Sequence, residues 1–157
     1  YTNLSPTGYF NTGGGIVIES TPKDGSWALG YNFDQAFYVS STDPRKRWGI
    51  FGNLGIADDN PSPIRWTGNV GLAGTSPLAT RSADTFGIGY YYTGLSGALK
   101  DFAPVLLPLG DEQGGELYYR IAATPWCQVT PNLQLIEPFR NRVDSSLLVG
   151  LRARIDF

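Results

Sequence analysis

Residues 145–157 read Ser-Ser-Leu-Leu-Val-Gly-Leu-Arg-Ala-Arg-Ile-Asp-Phe. The odd positions Leu147, Val149, Leu151, Ala153, Ile155 and Phe157 are apolar, while Ser146, Gly150, Arg152, Arg154 and Asp156 between them are small or charged. This is a period of two. Strand side chains alternate between faces, so one face here is apolar along its length and the other carries two arginines and a carboxylate. A half-buried strand of a soluble sandwich has the same signature. The apolar row, however, ends on the aromatic Phe157, where the girdle of a membrane barrel would sit, and a barrel uses its last strand to close its edge. Both readings stand at this stretch.

Moving back along the chain, the same design recurs. Trp27, Leu29, Tyr31, Phe33, Phe37 and Val39 are set against Ala28, Asn32, Asp34 and Tyr38, with Gln35 breaking the apolar face. Trp48, Ile50, Leu54 and Ile56 oppose Gly49, Asn53 and Gly55; Ile64, Trp66, Val70 and Leu72 oppose Arg65, Thr67, Asn69 and Gly71. Phe86, Ile88, Tyr90 and Tyr92 oppose Gly87, Gly89, Tyr91 and Thr93. Leu117, Tyr119 and Ile121 oppose Glu116, Tyr118 and Arg120, and Val129, Leu133 and Leu135 oppose Gln128, Thr130, Asn132 and Gln134. The pattern predicts an all-β, antiparallel up-and-down arrangement of about seven to eight strands and no helix. Residues 1–26, rich in Gly, Pro, Ser and Thr, read as the end of a truncated strand and a long loop. The whole of 1–157 forms a single β region.

Composition removes several function classes. There is no histidine, which excludes His-based triads, His-ligated zinc and His general bases. Cys127 is alone, so an internal disulfide is excluded and it reads as a small apolar strand residue. A net charge of -2 argues against a nucleic-acid surface. No apolar run approaches the roughly 20 residues of a helical span, whereas a barrel strand needs about 10, only alternate ones apolar. Nothing proposes a cofactor, a metal site or catalytic residues. Asp111, Glu112 and Glu116 are close in sequence, but glycosidase carboxyls must flank a cleft, and loop solvation or a calcium contact explains Asp111-Glu112 more simply. Asp58-Asp59-Asn60 lacks the spacing of a calcium loop and reads as a turn. Gly87-Ile88-Gly89 precedes no helix and is no nucleotide cradle.

The interruptions alternate in kind. With Phe157 at a periplasmic rim, Glu137–Asp144, Leu95–Gln113, Asp58–Pro63 and the first loop fall at the outer end, and the Thr124-Pro125 and Asp43-Pro44 turns at the inner end. Short inner turns and long outer loops are the habit of outer-membrane barrels. Ser76–Asp84 is long for an inner turn. Trp27, Trp48, Trp66 and Trp126 all fall at or near strand ends, where, with Phe157, a membrane interface takes aromatic anchors.

Several segments together carry a family likeness: Tyr31-Asn32-Phe33-Asp34-Gln35, Trp48-Gly49-Ile50-Phe51-Gly52, Gly55-Ile56-Ala57-Asp58, Asn60-Pro61-Ser62-Pro63-Ile64, Asp84 through Tyr92, Asp111-Glu112-Gln113-Gly114, Thr124-Pro125-Trp126 and Gly150-Leu151-Arg152-Ala153. In this order they resemble the carbohydrate-selective porin family, OprB type, from about Trp27 to Phe157. The resemblance implies the C-terminal half of a transmembrane barrel of about sixteen strands, trimeric when intact, passing glucose and similar sugars through the bacterial outer membrane. It also implies contact with outer-membrane lipid. About eight strands alone make a filled barrel, and about sixteen enclose a hydrated lumen.

If the odd face of the last strand meets lipid, Arg152 and Arg154 point into the lumen, joined by Arg120, Glu116 and Tyr118, and further round by Arg65, Asn69, Asn32 and Asp34. Such groups exchange hydrogen bonds with sugar hydroxyls while aromatic rings cover apolar sugar faces. The bland alternative has them pair with one another to hold a wet wall. At this stage passive sugar transport is the leading reading and a non-transporting barrel, membrane-bound or soluble and carbohydrate-binding, the alternative; an outer-membrane hydrolase is disfavoured by the missing histidine. The Tyr1-Thr2-Asn3 start shows no export signal, so either one was removed or the piece begins inside a longer polypeptide; the resemblance favours the second and implies a signal peptide and about eight further strands upstream.

Overall fold

The structure, a computed structural model, describes residues 24–59, 62–102 and 108–156, together with four short strand pieces: β1 (Thr2–Leu4), β2 (Tyr9–Phe10), β3 (Ile16–Val17) and β4 (Ser20–Pro22). β1 pairs with β4 and β2 with β3. The period-two segments then build seven long strands, β5 (Ala28–Val39), β6 (Arg47–Ala57), β7 (Ile64–Thr75), β8 (Thr85–Leu95), β9 (Glu112–Thr124), β10 (Cys127–Glu137) and β11 (Ser146–Ile155). They form one antiparallel meander in sequence order, with β5 and β11 at its two edges.

Residues directly opposite one another in an antiparallel ladder share a face, so register sorts every side chain. One row runs Tyr31–Leu54–Gly68–Tyr92, and a second Gln35–Ile50–Leu72–Ile88–Leu117–Leu133–Val149. These belong to the apolar face. The opposite face carries the row Asn32–Asn53–Asn69–Tyr91–Gly114 and the row Asp34–Phe51–Gly71–Gly89–Glu116–Gln134. The sorting predicted from alternation holds along all seven strands, except where the ladder slips.

Two slips have consequences. An irregularity between Ala36 and Tyr38 places Tyr38 opposite Trp48 and Val39 opposite Arg47. Tyr38 therefore joins the apolar face and Val39 the polar one, the reverse of the sequence reading, because one extra residue in a strand exchanges the faces beyond it. A second slip between Ile64 and Trp66 sets Ile64 opposite Leu95.

Leu95 is the one core apolar side chain among the described residues, and large residues of the apolar face stay open, Val149 at 81% and Leu151 at 76% exposure. A soluble sandwich would lay a second layer over such a face, since contiguous exposed apolar surface is rare on soluble monomers. Here the face is bare.

Two short helical pieces correct the expectation of none. α1 (Gly97–Phe102) begins the long connection after β8, its Gly97 N–H donating to the Asp59 carboxylate at 3.0 Å. A 3-10 turn, Ala79–Arg81, lies in the connection after β7. The length of that connection has a physical reason. Asp84, 1% exposed, accepts from Arg81 Nε at 2.7 Å and from the Ala122 N–H at 2.9 Å, while the Ser76 N–H donates to its carbonyl at 2.9 Å. The turn is a small closed structure tied to β9. Burial alone would raise the Asp84 carboxyl; the Ala122 N–H and the Arg81 guanidinium outweigh it and hold the group below its ordinary value.

At the other end, Asp111 gathers the loop that contains α1. It accepts from Lys100 Nζ at 2.6 Å, the Tyr92 hydroxyl at 2.7 Å and the Leu95 N–H at 2.9 Å. The apolar Val105-Leu106-Leu107, as well as Asn60, Pro61 and Phe157, lies outside the described residues.

Candidate functional site

The polar face is where the predicted site residues fall. Asp34 stands on β5, and Tyr118 and Arg120 on β9; all three line one trough of about 360 Å³ in the half of the sheet nearer the short turns. Its floor is a row of small residues, Ala36, Gly49 and Ala73, with Gly87 next in the same row and Tyr118 opposite Gly87. The Tyr118 ring lies over Gly87 and the Phe51 ring over Gly71, the residues opposite them on the neighbouring strands. Glycine there leaves room for the ring and the ring shields the bare backbone, a pairing known to repair glycine in sheets. The trough thus has two aromatic walls above a floor without side-chain bulk.

Its rim is charged. Arg47, Thr75, Thr85 and Arg120 stand toward the turns and Asp34 on the opposite side. Arg45 also borders it but is held by Asp43, Nε to Oδ1 at 3.0 Å, which lowers the Asp43 carboxyl and raises the Arg45 guanidinium. Arg47 and Arg120 meet no carboxylate among the described residues.

The other predicted residues are distributed more widely. Asn32 and Asn69 share a row through Asn53, one register step from the trough. Glu116 accepts from the Asn132 amide at 2.9 Å, the wall-pairing role weighed as the bland alternative. Arg152 lies opposite Thr130 and Arg154 opposite Gln128 on the edge strand, where Arg154 reaches Asp156 at 2.8 Å. Arg65 sits in the slip of β7, at the far end of the sheet, paired with Asp59 at 3.3 Å.

Arg47, Phe51, Thr75 and Thr85 were not among the residues singled out from sequence. Phe51 carried a legible signal: it is an aromatic at an odd position of a strand whose apolar set is even. The four tryptophans fall two to each end of the sheet, Trp27 and Trp66 beside the long connections, Trp48 and Trp126 beside the turns. Trp66 stacks on Tyr92 with centroids 4.5 Å apart, and Trp48 meets Phe86 edge-on at 5.2 Å while donating its indole N–H to the Thr75 carbonyl at 2.9 Å.

The sequence pattern described as "Carbohydrate-selective porin, OprB family" matches residues 12–157. The chain belongs to this family. Porin B of Pseudomonas aeruginosa is 26% identical over 152 residues, covering 86% of this chain and 33% of that protein. OprB of Pseudomonas putida, in its high-pH structure, superposes with a TM-score of 0.75 at 23% identity, over 84% of this chain and 35% of that one. The latter likeness concerns the fold, a barrel wall. The chain spans about a third of the length of either relative. In outer-membrane barrels generally, the apolar face of the wall is its outside and the polar face its inside.

Proposed function

We propose that this chain is part of the wall of a bacterial outer-membrane pore through which sugars such as glucose diffuse down their gradients. The observation that carries the reading is the division of a single open sheet into a bare apolar face, with tryptophans at both ends, and a polar face floored by glycine and alanine. Lipid would cover the first face and a hydrated lumen the second. The long connections 58–63, 96–111 and 138–145 then face outward and the turns after β5, β7 and β9 face the periplasm. No chemistry is performed; arginines, carboxylates and aromatic rings set which solutes pass. The intact protein would be a trimer of barrels of about sixteen strands, completed by strands beyond this chain.

Planar-bilayer recording on the complete protein tests this. Step-like conductance that falls as glucose is added supports the proposal; a bilayer that stays silent favours a non-transporting barrel.

A further inference from the structure

The trough has an unbalanced rim. A site for neutral sugars alone needs donors and acceptors in rough parity, since each hydroxyl is both. Here one side offers two guanidiniums and two threonine hydroxyls, and the other a single carboxylate, Asp34. Arg45 is neutralised by Asp43, but Arg47 and Arg120 have no carboxylate partner among the described residues. They are separated by the strands bearing Thr75 and Thr85, so strand spacing puts their backbones roughly 14 Å apart. Beside them lie the floor of alanine and glycine and the Tyr118 ring.

We propose that the trough is a subsite for anionic sugars, monosaccharides bearing a carboxylate such as uronates and aldonates. The inference rests on the porin reading and adds the substrate class of this part of the wall. The ligand carboxylate faces the Arg47 and Arg120 edge, where hydrogen bonds between opposite charges are the strong ones and Arg meets a carboxylate with a two-pronged fork. The ring lies against Tyr118 or Phe51, and hydroxyls remote from the carboxylate donate to Asp34. A passing sugar acid is thereby oriented with its charge toward the turn end of the pore.

The test is current block in planar bilayers by the complete porin, comparing glucuronate, glucose and acetate. Glucuronate should halve the conductance at a concentration about tenfold below glucose, the share of one charge-assisted hydrogen bond. Arg120→Gln should abolish that advantage by weakening glucuronate block about tenfold more than glucose block, while Arg120→Lys, which keeps the charge, should retain most of it. Tyr118→Ala should weaken glucuronate and glucose alike. Channel insertion and a β-sheet circular-dichroism spectrum in vesicles show that each variant has folded. Equal block by glucuronate and glucose, or an advantage that survives in both Arg47→Gln and Arg120→Gln, overturns the inference and leaves the porin reading standing. Acetate as effective as glucuronate also overturns it, because the trough would then hold any carboxylate. A silent bilayer removes both.

Discussion

Tyr118 lies across the ladder from Gly87 with its ring over the glycine, so close that a Cβ at residue 87 would collide with it. The pair defines one wall of the trough. Gly87→Ala should therefore displace the ring and cost about 1–3 kcal/mol, as overpacking does. In the Tyr118→Ala background the same change should cost far less, because the obstructing ring is gone. Urea titrations of the complete porin refolded into vesicles, followed by tryptophan fluorescence, measure both. Equal costs in the two backgrounds would mean the ring and the glycine are not neighbours.

Leu151, opposite Pro131 near the middle of β11, is 76% exposed on the apolar face, and Arg154 stands on the other face near the strand end. Leu151→Arg should lower folding stability in vesicles by about 2–4 kcal/mol if it meets lipid at mid-depth, and Ile155→Arg, opposite Cys127 beside the turn, by about 0–1 kcal/mol. Arg154→Ala should leave folding within about 0.5 kcal/mol and alter permeation instead. Comparable folding losses from Leu151→Arg and Arg154→Ala would reverse the facing.

Much of this was legible because a period of two is a strong code for a sheet with two unlike faces. Strand number and the side taken by Asn32, Asp34, Glu116, Tyr118 and Arg152 follow from alternation, while the order follows from the connections and the family resemblance. What alternation cannot carry is a slip of the ladder: Phe37 is as suitable for either face as its neighbours, so nothing in Ala36-Phe37-Tyr38 announces the extra residue that exchanges Tyr38 and Val39. Nor does it say which residues of one face lie side by side. Arg47 and Arg120 are far apart in sequence, and only the registers of β6 through β9 bring them to one trough. The helical turn after Ser96 was hidden for a different reason, since six residues are too few to display a helical period.

The loop end offers a test by pH. Asp111 is desolvated, which would raise its carboxyl, yet Lys100, Tyr92 and the Leu95 N–H together hold it below the ordinary 3.8. A depressed acid stabilises the loop above its unfolded value, and that contribution is lost as pH falls through the folded one. Lys100 is partly exposed, so the tie is worth under about 1 kcal/mol. Proteolysis of the 96–111 connection in the folded porin should accelerate below about pH 4, and Asp111→Asn should show the faster rate already at pH 7. A rate in Asp111→Asn equal to the parent's at pH 7 would remove Asp111 from that role.

The turn end is tied more tightly, because the Asp84 carboxylate is buried and its two links join the 3-10 turn to β9. Removing it in Asp84→Ala strands the Ala122 N–H and the Arg81 guanidinium, a loss of about 1–3 kcal/mol. Asp84→Asn keeps an acceptor and should cost less. The sign with pH is fixed by the depressed carboxyl: its contribution is complete above the ordinary 3.8 and fades as acid titrates the folded group. The urea midpoint of the parent should fall toward that of Asp84→Asn between about pH 4 and pH 2, and the difference between them should close. If instead the gap stays constant across that range, the Arg81–Asp84 pair is not what fixes the long turn, and the Ala122 hydrogen bond, which both proteins keep, is left as its main tie.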